Sequence, residues 1–166
     1  MAIKDGLLPE FDHEMDNTRK ALERVPEDKF GWKPHEKSGT MGWLADHIAE
    51  MVGWMSPTIG QDSLDMAGYQ PPPPPTTRQQ ILDKFDSNRT EARRALEGVS
   101  DAQMMQNWKL TRGNQVFFDM PRVAVIRGMI MNHIIHHRGQ LTVYLRLNNV
   151  PIPGLYGPSA DEQTFG

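Results

Sequence analysis

Four stretches of this chain carry apolar residues at alternating steps of three and four, and each is bounded by residues that stop a helix. A strand would need alternation at every second position. The pattern therefore commits most of the chain to amphipathic helices that must bury one face against one another. The first stripe runs through Leu8, Phe11, Met15, Thr18, Leu22 and Val25 and is closed by Pro26. After a polar loop from Glu27 to Gly39, Thr40 is placed to cap a second helix, with Leu44, Ile48, Met51, Val52 and Met55 on its buried side before Pro57. Thr76 or Thr77 can cap a third, with Ile81, Leu82, Phe85, Ala92 and Leu96 facing inward and an end near Gly98. Ser100-Asp101-Ala102-Gln103 reads as a capping box for one more short turn. The fourth starts at Asp119 or Met120 with Pro121 at the first helical position, and runs unbroken to about Leu147, where Asn148-Asn149 stop it.

The segments between the helices are less regular. Ser56 to Pro75 has no helical stripe, and its five prolines, Pro71 to Pro75, predict an extended polyproline connector between two halves. Gly113-Asn114, between Trp108/Leu110 and Val116/Phe118, suits either a small hairpin or an ordered loop. The apolar, irregular tail Val150 to Pro158 is expected to lie over the helices. With 166 residues and no cysteine, the chain is long enough to bury a core without disulfides. The expected fold class is all-α: a four-helix bundle with a long crossover connection, formed as one domain over residues 1–166.

A formal charge of -3 and a pI near 6.0 argue against nucleic-acid binding, which needs a basic face. Mixed-sign clusters such as Arg89, Glu91, Arg93, Arg94 and Glu97 read instead as a solvated helix face. No apolar run approaches a membrane span, and Met1-Ala2-Ile3-Lys4-Asp5 carries no apolar signal core, so the expected location is the cytoplasm. The sequon Asn88-Arg89-Thr90 falls mid-helix and is read as coincidence. Without cysteine, any thiol chemistry must use a thiol from outside.

His133 and His137 lie four residues apart on the fourth helix, so they differ by about 40° around its axis and stack one turn apart. Ile126, Ile130, Leu141 and Tyr144 share that face, and His47 shares a face with Leu44, Met51 and Trp54. An i, i+4 pair can chelate an ion or form a buried pair bonded to backbone or water, and a third inward histidine favours the metal. Three imidazoles would leave a coordination position open, as a catalytic site does. His136 is rotated about 100° from His137 and suits an outer or surface position. His13 and His35 are expected in solvent, although His35 could approach the metal. Glu50, one turn after His47, is a candidate acid-base residue or ligand. Met51, Met55, Met129 and Met131 suit core filling or an apolar pocket wall.

The run Asn132-His133-Ile134-Ile135-His136-His137-Arg138-Gly139-Gln140-Leu141, then Tyr144-Leu145-Arg146 and Pro151 to Glu162, closely resembles the end of DinB-like proteins. The resemblance extends upstream through Thr18-Arg19, Trp32 to Ser38 and the helix holding His47, and so covers nearly the whole chain. It implies a DinB/YfiT-like antiparallel four-helix bundle with unusual connectivity, often a homodimer, with a divalent metal on three histidines that match His47, His133 and His137. It also implies a range of reactions: characterised relatives include S-transferases and an isomerase that use mycothiol or bacillithiol.

The resulting expectation is a metal-dependent enzyme acting on a small-molecule substrate, with zinc or nickel activating the thiolate of a low-molecular-weight thiol for transfer to an electrophile. Hydrolysis by water activated at the metal is the alternative enzyme. A non-catalytic metal or small-ligand binding protein is the alternative class. Glu50 and His136 are the candidates for roles beyond the ligands.

Overall fold

The computed structural model describes residues 2–163, so the ends of the expected 1–166 domain, residue 1 and residues 164–166, lie outside the described residues. Helix α1 (Ile3–Leu22) begins ahead of the Leu8 stripe and carries Pro9 within it. The missing Pro9 N–H is tolerated because Asp5, whose carbonyl it would have met, is exposed to water. Asp101 Oδ1 accepts from the Ile3 N–H at 2.8 Å, so a residue from a distant helix caps this terminus. The buried face is the expected one, with Phe11, Met15, Thr18 and Leu22 all at 0% exposure.

A 3-10 turn (Glu27–Lys29) leads to α2 (Met41–Gly53), where Thr40 Oγ1 accepts from the Trp43 N–H at 3.2 Å. Pro57 cannot donate to Gly53, and the chain breaks at Trp54 before resuming as α3 (Met55–Gly60). Helix α4 (Arg78–Gly98) has its capping box at Thr77 and Gln80, and buries Ile81, Leu82, Phe85, Ala92 and Leu96. The short α5 (Asp101–Met105) is capped by Ser100. α6 (Arg122–Ala124), a π-helical stretch (Val125–Met131) and α7 (Asn132–Leu147) follow one another with helical dihedrals at each junction.

The long helices pack as a ring: α2 lies against α4 and α7, and α1 against the same two. Consecutive helices α1 and α2 thus sit diagonally across the core. Tail residues Val150 and Ile152 pack on that core; Asp161 and Glu162 fold the tail on itself by accepting from the Ile152 and Gly154 backbone N–H groups, and pair with Arg146 and Arg24 outside it.

Three expectations need correcting. The protein is not strictly all-α, because β1 (Ser63–Asp65), β2 (Asn107–Arg112) and β3 (Gln115–Pro121) form a sheet in that order. The hairpin reading of Gly113-Asn114 holds: β2 and β3 are antiparallel, and Gly113 takes a φ of 57° that glycine adopts without strain. Trp108 and Leu110 alternate inward and build a second small core with Val125. The connector from Ser56 is not without helix either, since α3 runs into it as far as Gly60, and β1 adds parallel to β2. Finally, Pro121 ends β3 instead of opening the helix, because the Arg122 N–H is taken by the Gln106 carbonyl at 2.9 Å, and the fourth helical segment is interrupted by π turns.

Candidate metal centre

The α2–α7 contact brings the three predicted histidines together. His47 Nε2 lies 3.3 Å from His133 Nε2, which is 2.7 Å from His137 Nε2. The possible ligand atoms of all three lie within 4.8 Å of one another, an arrangement that can hold a metal ion. The residues are half-buried, so the cluster sits at the margin of the helical core rather than within it. The π stretch precedes both α7 histidines. Its wider turns reset the rotational phase of the helix, so the facing of His133 and His137 cannot be extrapolated from Pro121 on a 3.6-residue wheel.

Electrostatics prepare His47 and His133 as ligands. Burial, followed by the neighbouring His137 and His133 rings, pushes the His47 pKa below the ordinary histidine value. Burial and His137 likewise lower His133, against an opposing contribution from the Met129 backbone. Neutral imidazole is the form that binds metal. Gln140 Oε1 lies 2.7 Å from His137 Nδ1, a contact that suits a proton on Nδ1 and, in that tautomer, leaves the Nε2 lone pair facing the cluster.

The donor set fits a tetrahedral ion in part. Metal–nitrogen bonds of about 2.0–2.1 Å give a ligand–ligand edge of roughly 3.3 Å. The His47–His133 separation matches that edge, whereas the 2.7 Å His133–His137 separation must open by a few tenths of an ångström. Nitrogens this close cannot all point lone pairs at one another without a shared proton or cation between them.

The other sequence candidates fall into separate places. Glu50 is not in the ligand cluster; its Oε1 accepts from the Tyr69 hydroxyl at 2.6 Å, which pushes the Tyr69 pKa up to about 12. His136 is exposed and stands edge-on to His137, with ring centres 5.0 Å apart. His13 is exposed beside Asn17, and His35 is exposed with its Nδ1 accepting from the Lys37 N–H, so neither joins the cluster. Of the methionines, Met51, Met55 and Met131 are core residues and Met129 is exposed; none lines the adjoining cleft.

Sequence reasoning missed five residues. Trp43 stacks on His47 with ring centres 5.0 Å apart and planes 7° apart, and meets His137 edge-on. A Cβ at Gly39 would overlap the Trp43 indole, so glycine there keeps the ring in place. Trp43 is four positions before His47 and Gln140 three after His137, so helical spacing held a signal for both. Tyr69 reaches Glu50 across the connector and left no sequence signal. Arg138, adjacent to His137, faces α1 instead and is fully buried against Glu14. Beside His47, a cleft of about 360 Å³ runs between α2 and the polyproline segment, bordered by Trp43, Asp46, Glu50, Phe30 and Pro71.

A family model described as DinB superfamily matches residues 10–141, a span that includes all three histidines. The Bacillus subtilis (strain 168) protein named Uncharacterized protein YrdA is 28% identical over 158 residues, covering 95% of this chain and 90% of that protein. Two crystal structures share the fold. A DinB-like protein from Bacillus cereus ATCC 10987 has a TM-score of 0.73 at 24% identity, covering 93% of this chain and 98% of its own. The DinB-like protein YjoA from Bacillus subtilis has a TM-score of 0.71 at 18% identity, covering 96% and 99%. With the family model spanning most of its length, the chain belongs to the DinB superfamily.

Proposed function

We propose that His47, His133 and His137 hold one divalent metal ion, zinc or nickel, and that the protein is a metal-dependent enzyme transferring a low-molecular-weight thiol to an electrophile. The observation that carries this reading is the convergence of three imidazole nitrogens beside a cleft, with no fourth protein ligand in the cluster among the described residues. When bound, such an ion lowers the pKa of a thiol or water and so supplies a nucleophile at neutral pH. The chain's own residues do the rest: Gln140 fixes the His137 ring, Trp43 walls the site beside His47, and Glu50 accepts protons or hydrogen bonds from what enters. Glu50 also favours a second reading, hydrolysis, because a carboxylate one turn from His47 can take a proton from an attacking water.

Metal analysis of tag-free protein, followed by a screen of electrophiles against several low-molecular-weight thiols, tests the proposal. Thiol consumption that disappears in His137→Ala is expected. Metal-dependent turnover without any thiol would replace transfer with hydrolysis, and a protein free of metal and inert in both screens would overturn the enzyme.

The wider reading is a single domain over residues 1–166, an antiparallel four-helix bundle with a crossover of the DinB/YfiT kind, acting in the cytoplasm as a homodimer. Sedimentation equilibrium at micromolar concentration is expected to give twice the 18.9 kDa chain mass. The mass of one chain would refute the dimer.

Metal should stabilise the fold without being required for it, since the core of α1, α2, α4 and α7 is apolar and independent of the histidines. Chelation is therefore expected to leave the far-ultraviolet helical signal nearly intact and lower the melting temperature, with the loss recovered as free metal is raised. The chelated protein should also melt lower at about pH 5.5 than at about pH 7.5. His47 and His133 have folded pKa values below their unfolded value of 6.5, so the unfolded chain takes up protons first as pH falls through that range. Loss of helicity on chelation at room temperature would make the site structural.

A further inference from the structure

The cleft beside His47 is chemically one-sided. Its volume of about 360 Å³ suits a small organic molecule, and its walls are aromatic and proline-rich, with Trp43 and Phe30 on one side and Pro71, Pro72, Pro74 and Pro75 on the other. The ionisable groups on its wall are His47 and two carboxylates, Asp46 and Glu50; among the described residues, no lysine or arginine borders it. The two acids are not equivalent. Lys84 from α4 holds Asp46 Oδ1 at 2.5 Å and offsets its charge. Among the described residues Glu50 is met only by the neutral Tyr69 hydroxyl at 2.6 Å, a hydrogen bond that leaves its charge uncompensated.

Position along the helix adds a direction. Trp43, His47 and Glu50 follow one another on α2, and the seven steps from Trp43 to Glu50 rise about 10 Å. A molecule lying along this face would have one end at an indole, the other at a carboxylate, and its middle beside the metal-site histidine. The polyproline wall opposite is stiff and apolar, so it favours an elongated, hydrophobic body.

We propose that this cleft binds the substrate of the site, and that the substrate is an elongated amine, with its ammonium group paired to Glu50 and an apolar or aromatic group packed on Trp43 and the prolines. The assignment rests on the metal-site reading only for the claim that the bound molecule is a substrate. The cleft's preference for a cation follows from its own walls. A carboxylate-bearing molecule of the same shape meets the Glu50 charge with no basic residue to receive it.

Three probes with the same four-methylene tether test this: 4-phenylbutylammonium, 4-phenylbutan-1-ol and 5-phenylpentanoate, titrated by calorimetry or NMR into metal-loaded and chelated protein. The ammonium probe is expected to bind at least fivefold more tightly than the other two to the chelated protein, where no ion at His47 can ligate the carboxylate. Glu50→Gln should bring the three within about twofold while leaving metal content unchanged, and Tyr69→Phe, which keeps the carboxylate, should preserve the preference. Equal or tighter binding of 5-phenylpentanoate to the chelated protein, an ammonium preference that survives Glu50→Gln, or no measurable binding of any probe would each overturn the proposal. Ammonium preference in a protein that takes up no metal would leave the cleft assignment standing and remove the metal reading. Stoichiometric metal with no ammonium preference would do the reverse.

Discussion

Replacing His47 or His137 with alanine is expected to abolish stoichiometric metal binding, while His13→Ala retains it. His47 is the only contribution of α2 to the cluster, and among the described residues His137 alone of the three has a side-chain partner at its second nitrogen. Loss of either leaves two imidazoles, which must hold the ion with two or more positions open to water. Removing a group that merely orients a ligand costs about 10–100-fold in affinity, so removing a ligand should cost at least that much. Gln140→Ala should fall in that intermediate range, because His137 would keep its nitrogen and lose its orientation. His13 is exposed on α1 and hydrogen-bonded to Asn17, away from the cluster. Elemental analysis after dialysis against a weak chelator makes the comparison. Equal metal in wild type, His47→Ala and His137→Ala would dispose of the site.

The helices and the histidines were legible because both depend on local periodicity. Phe11, Met15, Leu44, Ile48, Phe85 and Leu96 sit in stripes whose spacing is fixed by the helix itself, and each is at 2% exposure or less. Thr40, Thr77 and Ser100 accept backbone hydrogen bonds at helix starts, chemistry carried by one side chain and its own next turn. His133 and His137 belong to the same class, since an i, i+4 pair faces one way in any helix. What could not be read depends on distant partners. Ser63-Leu64-Asp65 has no strand pattern of its own and is extended because Leu64 finds Leu110 alongside it. The π turns between Val125 and Met131 have no sequence signature: Gly128 and the β-branched Val125, Ile126 and Ile130 lower helix propensity without specifying wider turns. Glu50 is a candidate ligand or acid-base residue by its spacing from His47, and only the return of the connector brings Tyr69 to it. Arg138 looked like part of a motif, and its partner Glu14 is 124 residues away.

Substituting Arg138 is expected to destabilise the fold more than any other single change outside the apolar core, while leaving metal content intact. Its side chain lies between α7 and α1 at 2% exposure and meets the Glu14 carboxylate, itself at 8%, at 2.7 Å. It also donates to the Glu14 carbonyl at 2.9 Å and to Thr18 Oγ1 at 3.1 Å. Tyr156 from the tail completes the group: its hydroxyl bonds both Arg138 and Glu14, and its ring lies 5.1 Å from the guanidinium carbon. Burial, and then the bond to Glu14, raise the Tyr156 pKa, so the tyrosine stays a neutral donor and cannot replace the lost cation. Arg138→Met would therefore leave a buried carboxylate with one phenol for company, and breaking a buried pair from one side costs about 3–5 kcal/mol. For a chain of this size each kcal/mol lowers the melting temperature by roughly 2–4 °C, so a fall on the order of 10 °C is expected. The double variant Glu14→Gln with Arg138→Met removes the stranded charge and should recover part of that loss, which a double-mutant cycle measures directly. Urea unfolding within about 1 kcal/mol of wild type for Arg138→Met, a value typical of exposed ion pairs, would show that the group is solvated and does not bind α7 and the tail to α1.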